Sequence, residues 1–191
     1  MRSLSAFLVF ALLYTVFAVF SPGHRFTSTE SIGVFLSTSA EFNIVALVVG
    51  LLMISGEFDL SVGSILVFTS YVFLTLFKAG VPILLALIAT MGAGGAVGVF
   101  NGVITVKARI PSFITTLGGM LLWRGVTLFW SGGLQEGLEL PETAFMYRVI
   151  AGNVGNLIPA QFLWFVGITV VIALLVHYHR FGNWVFNTGD N

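Results

Sequence analysis

Long uncharged apolar runs constrain this chain more than any other feature of its sequence. No Asp, Glu, Lys or Arg occurs in residues 3–23, 42–56, 60–77, 79–106 or 149–176. About 18 or more apolar residues are enough to cross a bilayer core roughly 30 Å thick. Only 8% of the 191 residues are charged, whereas soluble domains carry about 25%. The sequence therefore predicts a multi-span membrane protein.

Composition and missing motifs exclude several functional classes. The formal net charge is zero, so the chain lacks the basic surface of a nucleic-acid-binding protein. There is no Cys, which excludes disulfides and thiolate chemistry. Neither Gly-x-Ser-x-Gly nor His-Glu-x-x-His occurs, and His177 and His179 lie on nearly opposite sides of a helix. We expect no enzyme active site, no metal site and no cofactor on this chain.

The prolines mark the ends of the apolar runs, because proline fits the first turn of a helix and disrupts its interior. All five lie at the edge of a run or in a polar loop: Pro22, Pro82, Pro111, Pro141 and Pro159. The predicted fold is an all-α polytopic membrane bundle of about six spans with a break or re-entrant turn near 56–60. The predicted spans are 4–20, 37–56, 60–78, 82–106, 111–131 and 160–180. One long polar segment, 132–159, separates the last two.

Charge indicates the orientation of these spans. With six spans, both termini and the 107–110 turn lie on one side of the membrane. That side carries four cations and the other three: Arg2, Lys107, Arg109 and Arg180 against Arg25, Lys78 and Arg148. The positive-inside rule then places the N-terminus in the cytoplasm.

Two carboxylates, Glu57 and Asp59, separate apolar runs that are almost continuous. An acidic side chain at the centre of a bilayer costs about 2.5–3.5 kcal/mol on insertion scales, so the helix must surface or break here. In one interpretation Gly56 ends a helix and Asp59 caps the next by accepting the backbone N–H of Ser61 or Val62. In the other, a discontinuous helix with Ser61 at its start borders a translocation path. The two interpretations are compatible.

Span 4 carries small residues at steps of four. Small side chains on one helical face allow another helix to approach closely. We therefore expect Gly94, Gly98 and Gly102 to mediate helix packing, and Val97→Leu to be tolerated, whereas Gly98→Leu is not. The full set is Ala86, Thr90, Gly94, Gly98 and Gly102.

Two further polar residues lie inside predicted spans. Asn101 either makes an interhelical hydrogen bond or contacts a ligand, because a buried amide needs partners. Arg124 either extends its guanidinium to the outer membrane surface or faces inward along a path. Together with Glu57, Asp59 and Ser61, these two residues are the candidate substrate pathway.

Three ordered blocks of sequence resemble the ribose/xylose-type permeases of ATP-binding-cassette importers. Residues 56–64, Gly-Glu-Phe-Asp-Leu-Ser-Val-Gly-Ser, are similar to the family motif Gly-Gly-Ile-Asp-Leu-Ser-Val-Gly-Ser, with Glu57 in place of glycine. The second block comprises Asn101-Gly102, Lys107, residues 109–118, Arg124-Gly125 and Gly132-Gly133. The third comprises Arg180-Phe181-Gly182 and Gly189-Asp190-Asn191, where the family has Gly-Gly-Asn.

This resemblance implies a permease of the bacterial inner membrane that hydrolyses nothing itself. Two permease subunits, identical or different, would form the path for a monosaccharide or similar small polar solute. A periplasmic binding protein would deliver the solute, and cytoplasmic ATPase subunits would use ATP and Mg²⁺. Family members continue beyond a Gly-x-Asn such as that at 189–191, so residues 1–191 are expected to be the N-terminal part of one transmembrane domain. No cytoplasmic helix able to dock on the ATPase is expected within it.

Two alternatives remain open from the residues alone. An ion-coupled secondary transporter would use Glu57 or Asp59 as its titrating group and would need no ATPase. A scaffold membrane protein would transport nothing.

Overall fold

A computed structural model describes residues 2–138, 145–155 and 157–189 of the chain. Eight α-helices account for most of them, with one short 3-10 helix and one small hairpin. The helices are α1 Arg2–Phe20, α2 Thr29–Ile54, α3 Val62–Lys78, α4 Ile83–Ala108, α5 Ser112–Ser131, α6 Phe145–Ile150, α7 Ala160–Tyr178 and α8 Arg180–Gly189. The 3-10 helix is Pro22–Thr27, and the strands are β1 Asn153–Val154 and β2 Ile158–Pro159.

Length and composition identify the membrane-spanning helices. Four are long and apolar enough to cross a bilayer, namely α2, α4, α5 and α7, and α1 and α3 are shorter apolar helices. Large side chains remain outside the protein core, for example Met91, 76% exposed, and Phe129, 91% exposed. Because these surfaces are apolar on helices of membrane length, lipid must cover them. The chain is an all-α, multi-pass membrane protein.

Some predicted boundaries differ from the observed ones. Helix α2 begins at Thr29 and not at residue 37, since the Ser28 hydroxyl accepts the Ser31 backbone N–H at 3.2 Å. A polar first turn of this kind is invisible to a search for apolar runs. The last span ends at Tyr178, two residues before its predicted end.

The described part of the polar segment 132–159 contains α6 and a two-stranded antiparallel ladder that pairs Asn153 with Pro159.

Packing divides the chain into two compact units, each described by itself. The first comprises Met1–Ala46 and Pro141–Ala173, and the second Leu47–Leu140 and Leu174–Asn191. In the first unit, the Phe26 ring of the 3-10 helix lies 5.6 Å from the rings of both Tyr14 and Phe17 on α1. The prediction of one domain over 1–191 stays a prediction.

Helices α3, α4 and α5 form the core of the second unit. Leu74 of α3 and Ala86 and Val97 of α4 are buried aliphatic residues of these helices. The ring of Phe68 on α3 lies 4.5 Å from that of Trp123 and 6.1 Å from that of Trp130, which are two turns apart on α5. These three helices surround the polar residues of the candidate site.

A segment after α5 returns along α3. Gly132, in the left-handed conformation with φ of 62°, ends α5, and its N–H and that of Gly133 bond to α5 carbonyls. The Tyr71 hydroxyl then donates to the Leu134 carbonyl, and Lys78 pairs with Glu136. Both contacts attach residues 132–138 to α3.

Candidate functional site

The candidate site is the connection between α2 and α3, residues 55–61. Gly56 ends α2 in the left-handed conformation, with φ of 82°. The Gly56 N–H bonds to the Met53 carbonyl and the Glu57 N–H to the Leu52 carbonyl, both at 3.1 Å. This pair of hydrogen bonds is typical of a helix that ends at glycine, and it satisfies the last carbonyls of α2. The sequence prediction that Gly56 ends a helix is confirmed.

Helix α5 holds the extended part of this connection. The Phe58 N–H donates to Ser112 Oγ and the Leu60 N–H to Thr116 Oγ1, each at 3.1 Å. Thr116, 4% exposed, also donates to the Ser112 carbonyl at 2.7 Å, so its hydroxyl is fixed in position. Two hydroxyls one helical turn apart therefore replace the partners that these backbone groups would find in a regular helix.

Asp59 lies two residues before Ser61, the N-cap position of α3. Its Oδ1 accepts the backbone N–H of Ser61 at 2.7 Å and the Ser61 hydroxyl at 2.5 Å. The predicted bond to the Ser61 N–H is present, but Asp59 is not the N-cap: Ser61 holds that position and makes no side-chain capping bond. Because the carboxylate is charged, these are among the stronger hydrogen bonds of the site.

Asn101 of α4 completes the network. Its Nδ2 donates to Ser61 Oγ at 3.0 Å, and Ser61 and Asn101 are 0% and 4% exposed. The Ser61 hydroxyl thus donates to Asp59 and accepts from Asn101. Of the two roles that the sequence left open for Asn101, the structure shows the interhelical hydrogen bond.

Gly119 of α5 provides the space for this amide. A Cβ at position 119 would lie 3.0 Å from Asn101 Oδ1 and 3.2 Å from Nδ2, and both distances are tighter than ordinary van der Waals contact. Gly119 itself is buried. A glycine is therefore required here by the close approach of α4 and α5 around Asn101.

Two members of this network lie away from the helix ends. Asn101 is seven residues before the end of α4 and Thr116 four residues after the start of α5. At 1.5 Å per residue these positions are about 10 Å and about 6 Å from the respective helix ends. Since water is scarce inside a bilayer, non-helical N–H groups there need protein partners, and hydroxyls of α5 provide them for Phe58 and Leu60.

Three of the five predicted pathway residues line one small groove, and a fourth, Ser61, lies buried behind it. Glu57, Asp59 and Asn101 border a groove of about 190 Å³ together with Thr116, and Ser61 bonds to two of them. Arg124 lies elsewhere: it is exposed and borders a separate groove of about 410 Å³ beside Ser64 and Val67. The structure therefore does not bring Arg124 together with the other four.

The predicted packing glycines of α4 behave differently from one another. A Cβ at Gly94 would touch Thr69 Cγ2 at 3.4 Å, so this glycine faces α3. Gly98 and Gly102 are exposed, and among the described residues no atom lies within 4 Å of the position of a Cβ there. For these two glycines helix packing stays a prediction.

The expectation that Val97 lies off the packing face is wrong. Val97 is only 4% exposed, because the buried side of α4 passes through Ala86, Val97 and Asn101. A regular spacing of small residues does not identify the face that packs within this unit.

Sequence reasoning missed Ser112, Thr116 and Gly119 as site residues. The available signal was a run of hydroxyl residues, Ser112, Thr115 and Thr116, at the start of an otherwise apolar span. In residues 2–138, 145–155 and 157–189, no group of three His, Asp or Glu side chains is placed to hold a metal ion.

Comparison with known proteins gives the family. Residues 31–191 match the family model described as "Branched-chain amino acid transport system / permease component". The ribose import permease protein of Escherichia coli K12 is 33% identical over 191 residues, which are 100% of this chain and 58% of that protein.

Two further relatives extend this comparison. The xylose/arabinose import permease protein of Sulfolobus acidocaldarius is 32% identical over 171 residues, covering 86% of this chain and 46% of the relative. An autoinducer 2 import system permease protein of Escherichia coli is 30% identical over 197 residues, covering 100% of this chain and 54% of the relative. No solved structure matches the chain.

The chain thus spans about half the length of the curated relatives it matches. Its matched residues include the whole candidate site, from Gly56 to Gly119. The chain belongs to the family of permease components of the branched-chain amino acid transport system type.

Proposed function

We propose that this chain is part of the permease subunit of an ATP-driven importer of a monosaccharide or a similar small polar solute. The observation that carries the proposal is the similarity to a ribose import permease along all 191 residues at 33% identity. Xylose/arabinose and autoinducer 2 import permeases share that similarity, and the solutes in their names are small and polar.

The geometry supports a transport role for the second unit. A non-helical connection inside a membrane bundle is tolerated where it is buried in protein or lines a cavity, and transporters use such breaks beside their solute path. Residues 55–61 form this kind of connection, and Glu57 and Asp59 border the adjoining groove. In the proposed permease this groove belongs to the solute path, and Ser61 and Asn101 hold its wall in place.

The proposed subunit works with separate partners. ATPase subunits in the cytoplasm bind ATP and Mg²⁺, a periplasmic protein delivers the solute, and a second permease subunit completes the path. The protein lies in the bacterial inner membrane with its N-terminus in the cytoplasm. This orientation places the α4–α5 turn, with Arg109, on the cytoplasmic side.

Reconstitution of the whole permease subunit that contains this chain, with its ATPase and binding protein in liposomes, tests the proposal. We expect uptake of radiolabelled ribose or xylose that requires both ATP and the binding protein, and no uptake with a non-hydrolysable ATP analogue. Uptake driven by a proton or sodium gradient without ATP would contradict the proposal and would favour the ion-coupled carrier. One variant distinguishes the two mechanisms further: Asp59→Asn removes a carboxylate that an ion-coupled carrier would use but keeps an acceptor for the Ser61 N–H, so ATP-driven uptake should survive.

A further inference from the structure

Helix α8 has a sharply two-sided surface and follows directly after α7. Only His179 separates the end of α7 at Tyr178 from the start of α8 at Arg180. At 3.6 residues per turn, Arg180, Asn183 and Asn187 fall on one side of α8. The other side is largely apolar and comprises Phe181, Gly182, Val185 and Phe186, while Trp184 lies at its border, beside Arg180.

The protein itself covers only the centre of this apolar side. Gly182 and Val185 are buried, and a side chain at Gly182 would collide with the carbonyl oxygen of Val176. A side chain at Gly189 would likewise collide with the carbonyl oxygen of Ile54. Helix α8 is therefore held close to the ends of α2 and α7 by its small residues.

The flanks of the apolar side remain exposed. Trp184 is 65% exposed, Phe186 46% and Phe181 41%, on both sides of the buried centre. Aromatic surface of this extent is costly in water, at about 25 cal/mol for each Å² of apolar area. Something beyond the described residues must cover these rings.

The position of α8 indicates what that cover is. Helix α7 is long and apolar enough to cross a membrane, so its last turn reaches the membrane surface where α8 begins. Tyr178, which is 86% exposed, immediately precedes this point. Tyr and Trp are enriched at the membrane interface, because their rings are apolar while their N–H and O–H groups need polar partners.

The charges at the same end of the second unit are also suited to a lipid surface. Gly189 lies beside Ile54, and the Phe58 N–H bonds to Ser112, so α8 shares this end with the connection 55–61 and with the α4–α5 turn. The cations Lys107 and Arg109 lie at the end of α4, and Arg180 begins α8. Cations close to a membrane surface are attracted to lipid phosphates.

We propose that α8 lies in the plane of the bilayer surface, in the same bilayer that α7 crosses, with Phe181, Trp184 and Phe186 inserted among the lipids. Asn183 and Asn187 face water on the opposite side. An amphipathic helix in this position buries its apolar face between the headgroups and the acyl chains. The connection 55–61 lies at the same end of the second unit as α8. Helix α8 then fixes how deep that end lies in the bilayer.

Site-directed spin labelling tests the proposal, and the absence of Cys from the chain makes each label unique. Phe181→Cys and Phe186→Cys carry the label on the apolar flanks, and Asn183→Cys and Asn187→Cys are matched controls on the polar side. The labelled protein is reconstituted in vesicles of phosphatidylcholine and phosphatidylglycerol, and collisions with oxygen and with a water-soluble nickel chelate are measured. Because all four positions are exposed, the labels should leave folding unchanged.

We expect labels at 181 and 186 to collide preferentially with oxygen, at a depth of roughly 5–10 Å below the headgroups. Labels at 183 and 187 should collide preferentially with the nickel chelate. Equal access of nickel to all four labels would place α8 in water and overturn the proposal. Protection of 181 and 186 from both reagents would overturn it too, because a protein partner and not lipid would then cover the aromatic flanks.

Discussion

Two connections interrupt the apolar runs at the same end of the second unit, and they are built in different ways. The connection 55–61 is recessed, and the N–H groups of Phe58 and Leu60 bond to side chains that are distant in sequence, on α5 at Ser112 and Thr116. Residues 109–111, between α4 and α5, form a tight turn through local backbone conformation: Arg109 is left-handed with φ of 55°, and Pro111 precedes the first residue of α5.

The difference shows how a membrane protein can place irregular backbone. A short turn at a helix end needs only suitable dihedral angles. A recessed connection needs a partner for every N–H group, because no water replaces a missing one. The connection 55–61 should therefore be sensitive to substitutions on α4 and α5, whereas the turn 109–111 should depend on its own residues.

The largest expected effect comes from filling the space beside Asn101. Gly119→Val should push the Asn101 amide away from Ser61 and destabilise the fold near the top of the range of about 1–3 kcal/mol for overpacking. Gly118→Val is the matched control on the same helix, since no described atom lies within 4 Å of a Cβ there. Unfolding in detergent measures both variants, and equal losses would show that Asn101 does not limit position 119.

Removing a single hydroxyl from α5 should have the next largest effect. Thr116→Val keeps the shape of the side chain but leaves the Leu60 N–H without its acceptor, at a cost of about 1–3 kcal/mol. Ser112→Ala should cost less, because Phe58 is 49% exposed and its N–H lies nearer the helix ends. The same unfolding measurement ranks the two, and a larger loss for Ser112→Ala would contradict the recessed geometry.

Two substitutions of Asp59 distinguish the effect of its charge from the effect of its hydrogen bonds. Asp59→Ala removes the acceptor of both Ser61 groups and should cost about 0.5–2 kcal/mol. Asp59→Asn keeps an acceptor oxygen and should be milder. If neither variant changes the stability of the protein or its transport, the hydrogen bonds from Ser61 to Asp59 do not stabilise the start of α3.

A substitution in the turn 109–111 should not lower the stability of the protein, in contrast to the substitutions around the connection 55–61. Arg109→Gly relieves a left-handed conformation that costs an ordinary residue about 1–2 kcal/mol, although glycine also gives the unfolded chain more freedom. The net result should be a change within about 1 kcal/mol, neutral or stabilising. A loss of stability as large as that of Thr116→Val would mean that the Arg109 side chain, and not the backbone, holds this turn.

Sequence alone could predict the helices and half of the site. The uncharged runs located the apolar helices, and Gly56 and Asp59 located the break, because helix ends depend on local residues. The partners Thr116 and Gly119 could not be found in this way, since their roles depend on which face of α5 meets residues 58–61 and Asn101. Helix α8 was missed because its apolar residues form too short a run to resemble a span.

Backbone amide exchange at Leu60 tests the central claim most directly, namely that side chains of α5 satisfy the recessed backbone before α3. In the unaltered protein in lipid nanodiscs, the Leu60 N–H should exchange slowly, since it donates to Thr116. In Thr116→Val its exchange should accelerate by roughly tenfold or more, as expected for the loss of about 1.4 kcal/mol or more, and amides of the α4–α5 turn should not change. Fast exchange at Leu60 already in the unaltered protein, or no change on losing the Thr116 hydroxyl, would contradict the account.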